Sequence, residues 1–224
     1  MQPPIFFMVV VVTATFAGLA AEYVAAVLPR HLFGEIEYRV RNSTEAKRIF
    51  AVTVMAAACT WVFHSFGLSA KAVFAVVFLA TSLSLAIIDH ETWYLPDLLT
   101  IPLLLVGLVC NLFGVFTDVQ SAIWGAAAAY GSLWLFYWTF KLILGQEVIG
   151  EGDFKLYAAI GAWLGIDYLL IVLLIAGIGL VAYGFLIDRR QSEMLPMGPY
   201  LALGGAIGIL FGPTLKTFVW GLGI

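Results

Sequence analysis

Residues 88–111 read IDHETWYLPDLLTIPLLLVGLVCN, and the two halves of this stretch belong to different solvents. From Leu98 onward the chain is apolar for long enough to cross a bilayer core as a helix. Just before it stand Asp89, His90, Glu91 and Asp97. Pro96 marks a new start, so the stretch predicts a helix ending near Ile88, a short interfacial turn anchored by Trp93 and Tyr94, and a second helix entering the membrane. Carboxylates are costly at such a border, and an acid kept there reads as part of a functional site.

The rest of the chain repeats the apolar theme. Hydrophobic residues make up 62% of the 224, charged ones 11%, and mean hydropathy is +1.01. That leaves too little polar sequence to coat a soluble globule. Apolar runs at 5–28, 49–66, 71–88, 98–116, 121–144, 168–187 and 198–222 are long enough for spanning helices, and a shorter piece covers 154–165. The expected fold is therefore an all-α polytopic membrane protein, a single integral-membrane domain over 1–224 with about eight transmembrane helices, one of them short. The first run lacks a preceding basic residue and a small-residue cleavage pattern, so it is expected to remain in the mature protein.

Orientation follows from the basic residues. If all eight segments cross, Arg30, Arg39, Arg41, Lys47, Arg48, Lys141, Lys155, Arg189 and Arg190 share one side, with Lys71 and Lys216 on the other. The positive-inside bias puts the first group, including a loop at 29–48, in the cytoplasm. The basic residues form no continuous stripe, so nucleic acid is not an expected partner, whereas the lipid bilayer is. Cys59 and Cys110 lie within apolar runs and read as packing residues. No C-x-x-C pair and no histidine spacing supplies a metal site.

A second acidic motif, GEGDFKL around Asp153, lies two predicted spans after Asp89 and so returns to the same side. Two aspartates that meet share a proton through like-charge repulsion, giving a general base for a water and a general acid for a carbonyl. No Gly-x-Ser-x-Gly elbow or Cys/His signature competes with them. Gly150 and Gly152 remove side chains around Asp153, allowing an extended peptide to approach, and a helix starting at Phe154 places its amides near the carboxylate.

The run from Ile88 to Asn111, GEGDFKLYAAIGAWLG from Gly150 to Gly165 and MGPYLALGG from Met197 to Gly205 together resemble the type IV prepilin peptidases, membrane aspartic proteases of the Gly-x-Gly-Asp class. The resemblance covers about residues 80–210. It implies Asp89 and Asp153 as the catalytic pair, no cofactor for proteolysis, and removal of the short basic leader from type IV prepilins or type II secretion pseudopilins at the cytoplasmic face of the bacterial inner membrane. The N-terminal quarter departs from the family, because the two C-x-x-C pairs of its zinc-binding insert are missing. N-methylation of the new terminus with S-adenosylmethionine is expected only if that activity is retained. Peptidase action on preflagellin-like leaders and proton-coupled transport are the alternatives, and a homo-oligomer is left open.

Further charged residues bear on the site. Asp97 either assists the substrate site or caps a helix. Lys155 either pairs with a carboxylate or snorkels at the interface. Glu22, in the first span without an evident partner, is a secondary site candidate. Glu147 and Glu151 join Glu35 and Glu37 in making the cytoplasmic edge locally acidic, which suits a basic leader, although a solvated mixed-charge loop explains the last two equally well. Glycines every fourth residue, Gly161 and Gly165, then Gly204, Gly208 and Gly212, read as close helix packing.

Overall fold

The structure, a computed structural model, describes residues 4–33, 45–145, 149–186 and 196–221. Among these there is no strand. The helices are α1 (Pro4–Phe33), α2 (Glu45–Phe66), α3 (Ala70–Thr92), α4 (Asp97–Leu112), α5 (Val119–Leu144), α6 (Glu151–Leu164), α7 (Leu169–Leu186) and α8 (Gly198–Gly221), with a 3₁₀ turn at Ile166–Tyr168 before α7. Backbone polar groups have no water to bond inside a bilayer, and a helix satisfies them within itself.

Among the described residues five helices, α1, α2, α3, α7 and α8, are long and apolar enough to cross a membrane, and the chain is a multi-pass membrane protein. With 26 residues α5 is long enough, but Trp124, Tyr130, Trp134, Tyr137, Trp138 and Lys141 dilute its apolar character. The 16 residues of α4 and the 14 of α6 reach about 24 and 21 Å at 1.5 Å per residue, short of a hydrocarbon core. Boundaries differ from the sequence expectation at several ends. Helix α1 continues past Pro29 to Phe33, since a proline forfeits one backbone bond without ending a long helix. Helix α3 runs on to Thr92, and α6 starts three residues before Phe154. Of the loop expected at 29–48, residues 34–44 lie outside the described residues, as do Glu35, Glu37, Arg39, Arg41, Glu147, Arg189 and Arg190.

The chain divides into two compact units, 1–92 and 93–224. In the first, α1 packs on both α2 and α3. Ala14, Ala17, Ala21 and Ala25 form its buried stripe, at the three- and four-residue steps of one helix face. A side chain at Gly18 would stand 2.7 Å from Val52 Cα, so α1 and α2 approach through their backbones. Ser84 Oγ donates to Ala21 O at 3.1 Å, joining α3 to α1.

The second unit is built round α6. Every residue from Asp153 to Leu164 except Lys155 is buried, as expected of a short helix enclosed by α4, α5 and α8. Three close contacts fix it. A Cβ on Gly161 would meet Gly125 O of α5 at 2.3 Å, one on Gly107 of α4 would meet the Trp163 ring at 2.4 Å, and one on Gly208 of α8 would meet Leu164 at 2.4 Å. Trp163 Nε1 donates to Leu103 O at 2.7 Å. Buried Asn111 donates to Ala162 O and Trp163 O at the end of α6 and accepts from the Phe116 and Thr117 amides. One side chain thus closes the C-terminus of α6 and shapes the turn into α5. Gly161 on α6 and Gly204, Gly208 and Gly212 on α8 are packing positions, as expected, whereas Gly165 lies just past the end of α6 with a positive φ of 82°.

Candidate active site

Asp153 is the third residue of α6. Glycines make the start of this helix: Gly150 is its N-cap, in extended conformation, and its amide donates to Asp153 Oδ2 at 3.2 Å. A carboxylate three residues after the cap, bonded back to the cap amide, satisfies one of the donors a helix start leaves open. The positive end of the helix adds to that fit. The side chain is only 7% exposed. On α5, Tyr130 and Tyr137 pack edge-on to Phe154, at 6.0 and 5.7 Å between ring centres.

The tail of the first acidic motif comes to this same turn within the second unit. Leu95 fills the space beside Gly152, where an added Cβ would lie 2.7 Å from Leu95 Cβ. Lys155 Nζ donates to both oxygens of Asp97, at 2.7 and 2.8 Å. That bond raises the proton affinity of the Lys155 ammonium, which keeps it cationic well above neutral pH. Asp97 does not cap α4. Pro96 holds the N-cap position of α4, no side chain caps it, and the Asp97 carboxylate turns to Lys155. Lys155 is likewise an ion-pair partner, about one-third exposed. The openness expected at Gly152 is taken by Leu95, whereas a Cβ on Gly150 would stand at an ordinary 3.4 Å from Asp153 Oδ2.

In the first unit Asp89 lies in the last turn of α3, 5% exposed, and not beyond the helix end as the sequence suggested. The helix stops only at Trp93, whose φ of 58° is left-handed, a conformation few non-glycine residues adopt. Two residues after Asp89, Glu91 is bonded by Lys47 from the first turn of α2. Glu22, 4% exposed on α1, has the partner that the sequence did not reveal: Arg48 Nε stands 3.4 Å from its Oε2. By sequence Lys47 and Arg48 are orientation signals and members of a solvated mixed-charge loop. Their pairing with acids from other helices is long-range, and the one available hint was a buried acid at the membrane border facing consecutive basic residues. Among the described residues no three His, Cys, Asp or Glu side chains group as metal ligands, and both cysteines are buried and free.

Apolar helices long enough to cross a membrane, with buried aspartates in helix end turns, define a polytopic membrane protein with acids enclosed at its helix ends. Residues 74–185, half of the chain and inclusive of both Asp89 and Asp153, match the model of the type IV leader peptidase family, and the chain belongs to that family. A prepilin leader peptidase/N-methyltransferase of Burkholderia pseudomallei (strain 1026b) is 46% identical over 151 residues, 66% of this chain and 49% of the relative. One from Aeromonas hydrophila is 48% identical over 139 residues, 59% of this chain and 47% of the relative, and one from Pseudomonas putida is 40% identical over 151 residues, 66% and 52%. The chain spans about half the length of the curated relatives it matches. No solved structure matches it significantly.

Proposed function

We propose that this protein is a membrane aspartic endopeptidase that removes the short basic leader of type IV prepilins or type II secretion pseudopilins, with Asp89 and Asp153 as its dyad. The observation that carries this reading is a set of contacts within the second unit. Leu95 and Asp97, the end of the first acidic motif, meet Gly152 and Lys155 in the turn holding Asp153. Family membership over residues 74–185 and the names of the relatives support the substrate class.

In this mechanism one carboxylate takes a proton from water as the oxygen attacks the scissile carbonyl. The other, protonated, gives its proton to the carbonyl oxygen. Collapse of the tetrahedral species breaks the C–N bond: the leaving amine takes up the proton the first carboxylate received, and the second carboxylate takes a proton back from one hydroxyl of the diol, which leaves a carboxylic acid and restores the pair. The protons are held by the pair, so apparent pKa values from a pH profile belong to both residues together. No cofactor enters these steps. The basic-residue bias, counted with all eight segments crossing, supports a cytoplasmic position for the site in the inner membrane.

N-methylation of the new terminus, which the relatives' names include, is the second reading, and S-adenosylmethionine enters only with it. The test is co-expression with a panel of prepilins, reading the mature N-terminus by mass spectrometry. A shortened product supports the peptidase, and the added mass of one methyl group supports the transferase. Intact leaders across the panel, with the protein folded in the membrane, overturn the reading.

A further inference from the structure

The turn that carries Asp153 is the weakest part of its helix. Gly150 and Gly152 flank it, glycine is a poor helix former, and end turns fray first. Asp153 nevertheless holds one buried position, 7% exposed. Lys155 follows by two residues, which at about 100° per residue places it roughly 200° round the helix, on the far side of the same turn. From there its ammonium bonds both oxygens of Asp97, the first residue of α4. Leu95 closes the remaining gap against Gly152.

Stability alone does not account for the ion pair. Lys155 is 33% and Asp97 49% exposed, a setting in which such pairs contribute little to folding. Two bonds from one ammonium to one carboxylate do, however, restrict both the rotation of α6 about its axis and its sliding along α4. Glu91 stands in the same relation to Asp89, two residues on, and is bonded by Lys47.

We propose that Lys155 and Asp97 are positioning residues: a clamp on the back of the α6 end turn that holds Asp153 in its reactive place without touching the substrate. In its kinetic part this rests on the peptidase reading. The experiment uses full-length protein purified in detergent, with Lys155→Ala, Asp97→Ala, Lys155→Arg and the charge swap Lys155→Asp with Asp97→Lys. Three quantities are read: kcat and KM on a prepilin, the rate at which a carbodiimide modifies Asp153 by peptide mass, and thermal unfolding. Misplacement on the scale of 1 Å predicts roughly a tenfold to hundredfold loss of kcat in each alanine variant. KM and the unfolding temperature stay close to wild type, Asp153 labels faster, and the swap restores both kcat and protection.

Unchanged kcat and labelling in the alanine variants overturn the clamp. So does a folded swap variant that remains defective, or a change confined to KM, which would place the pair on the substrate. If an alanine variant fails to fold, Lys155→Arg decides, with retained kcat and protection expected and their loss contradicting the pair. If wild type cleaves no prepilin, the peptidase reading falls, and the labelling rates still decide the clamp by themselves.

Discussion

Gly161→Ala is the sharpest perturbation of the packing round α6. An added Cβ would meet Gly125 O at 2.3 Å and Gly125 C at 2.6 Å, both backbone atoms that no rotamer change can move aside. Restoring ordinary contact requires α5 and α6 to separate by about 1 Å. Overpacking of this kind costs about 1–3 kcal/mol, and the backbone nature of the contact favours the upper end. Alanine returns about 1 kcal/mol through helix propensity, leaving a net loss of roughly 1–2 kcal/mol. Gly131→Ala on α5 is the matched control, because nothing lies within 4 Å of its added Cβ, and it should gain up to about 1 kcal/mol. Thermal unfolding of the two purified variants in the same detergent should separate them by roughly 5 °C or more. Asp153 lies about 12 Å from Gly161 along one rigid helix, so the same variant should also lose activity out of proportion to its stability. Equal melting temperatures for the two variants would refute the claim that α5 and α6 touch through their glycines.

Two further substitutions test the buried polar groups. Asn111→Leu removes two donations to α6 carbonyls and two acceptances from loop amides, and should cost roughly 3 kcal/mol or more in denaturant unfolding; a loss below about 1 kcal/mol would contradict the closing role given to this residue. Ser82 Oγ is buried and finds no hydrogen-bond partner among the described residues, so Ser82→Ala should be neutral or stabilise by up to about 2 kcal/mol, and destabilisation in the same assay would mean a partner exists.

The helices were legible because apolar runs bounded by polar clusters are a strong signal, and the α4 start at Pro96 was plain from the proline. The ends were less so. Pro29 did not stop α1, and α3 overran its acidic residues to Thr92, since a helix in apolar surroundings persists while its neighbours hold it. Asp89, Asp153 and the glycine steps could be picked out as individual residues. What sequence spacing could not supply was pairing between distant residues: Arg48 with Glu22, Lys47 with Glu91, and Lys155 with Asp97. Gly152 shows the same limit. The open approach expected there is filled by Leu95, a neighbour that only the fold supplies.

The central claim is that both aspartates are needed for leader removal. The direct measurement is cleavage of a prepilin by purified wild type, Asp89→Asn and Asp153→Asn at equal folded concentration, with the product terminus read by mass spectrometry. Asparagine keeps the shape and removes the proton-transfer chemistry, so the account predicts mature product from wild type and intact leader from both variants. Processing that persists in either variant would contradict it.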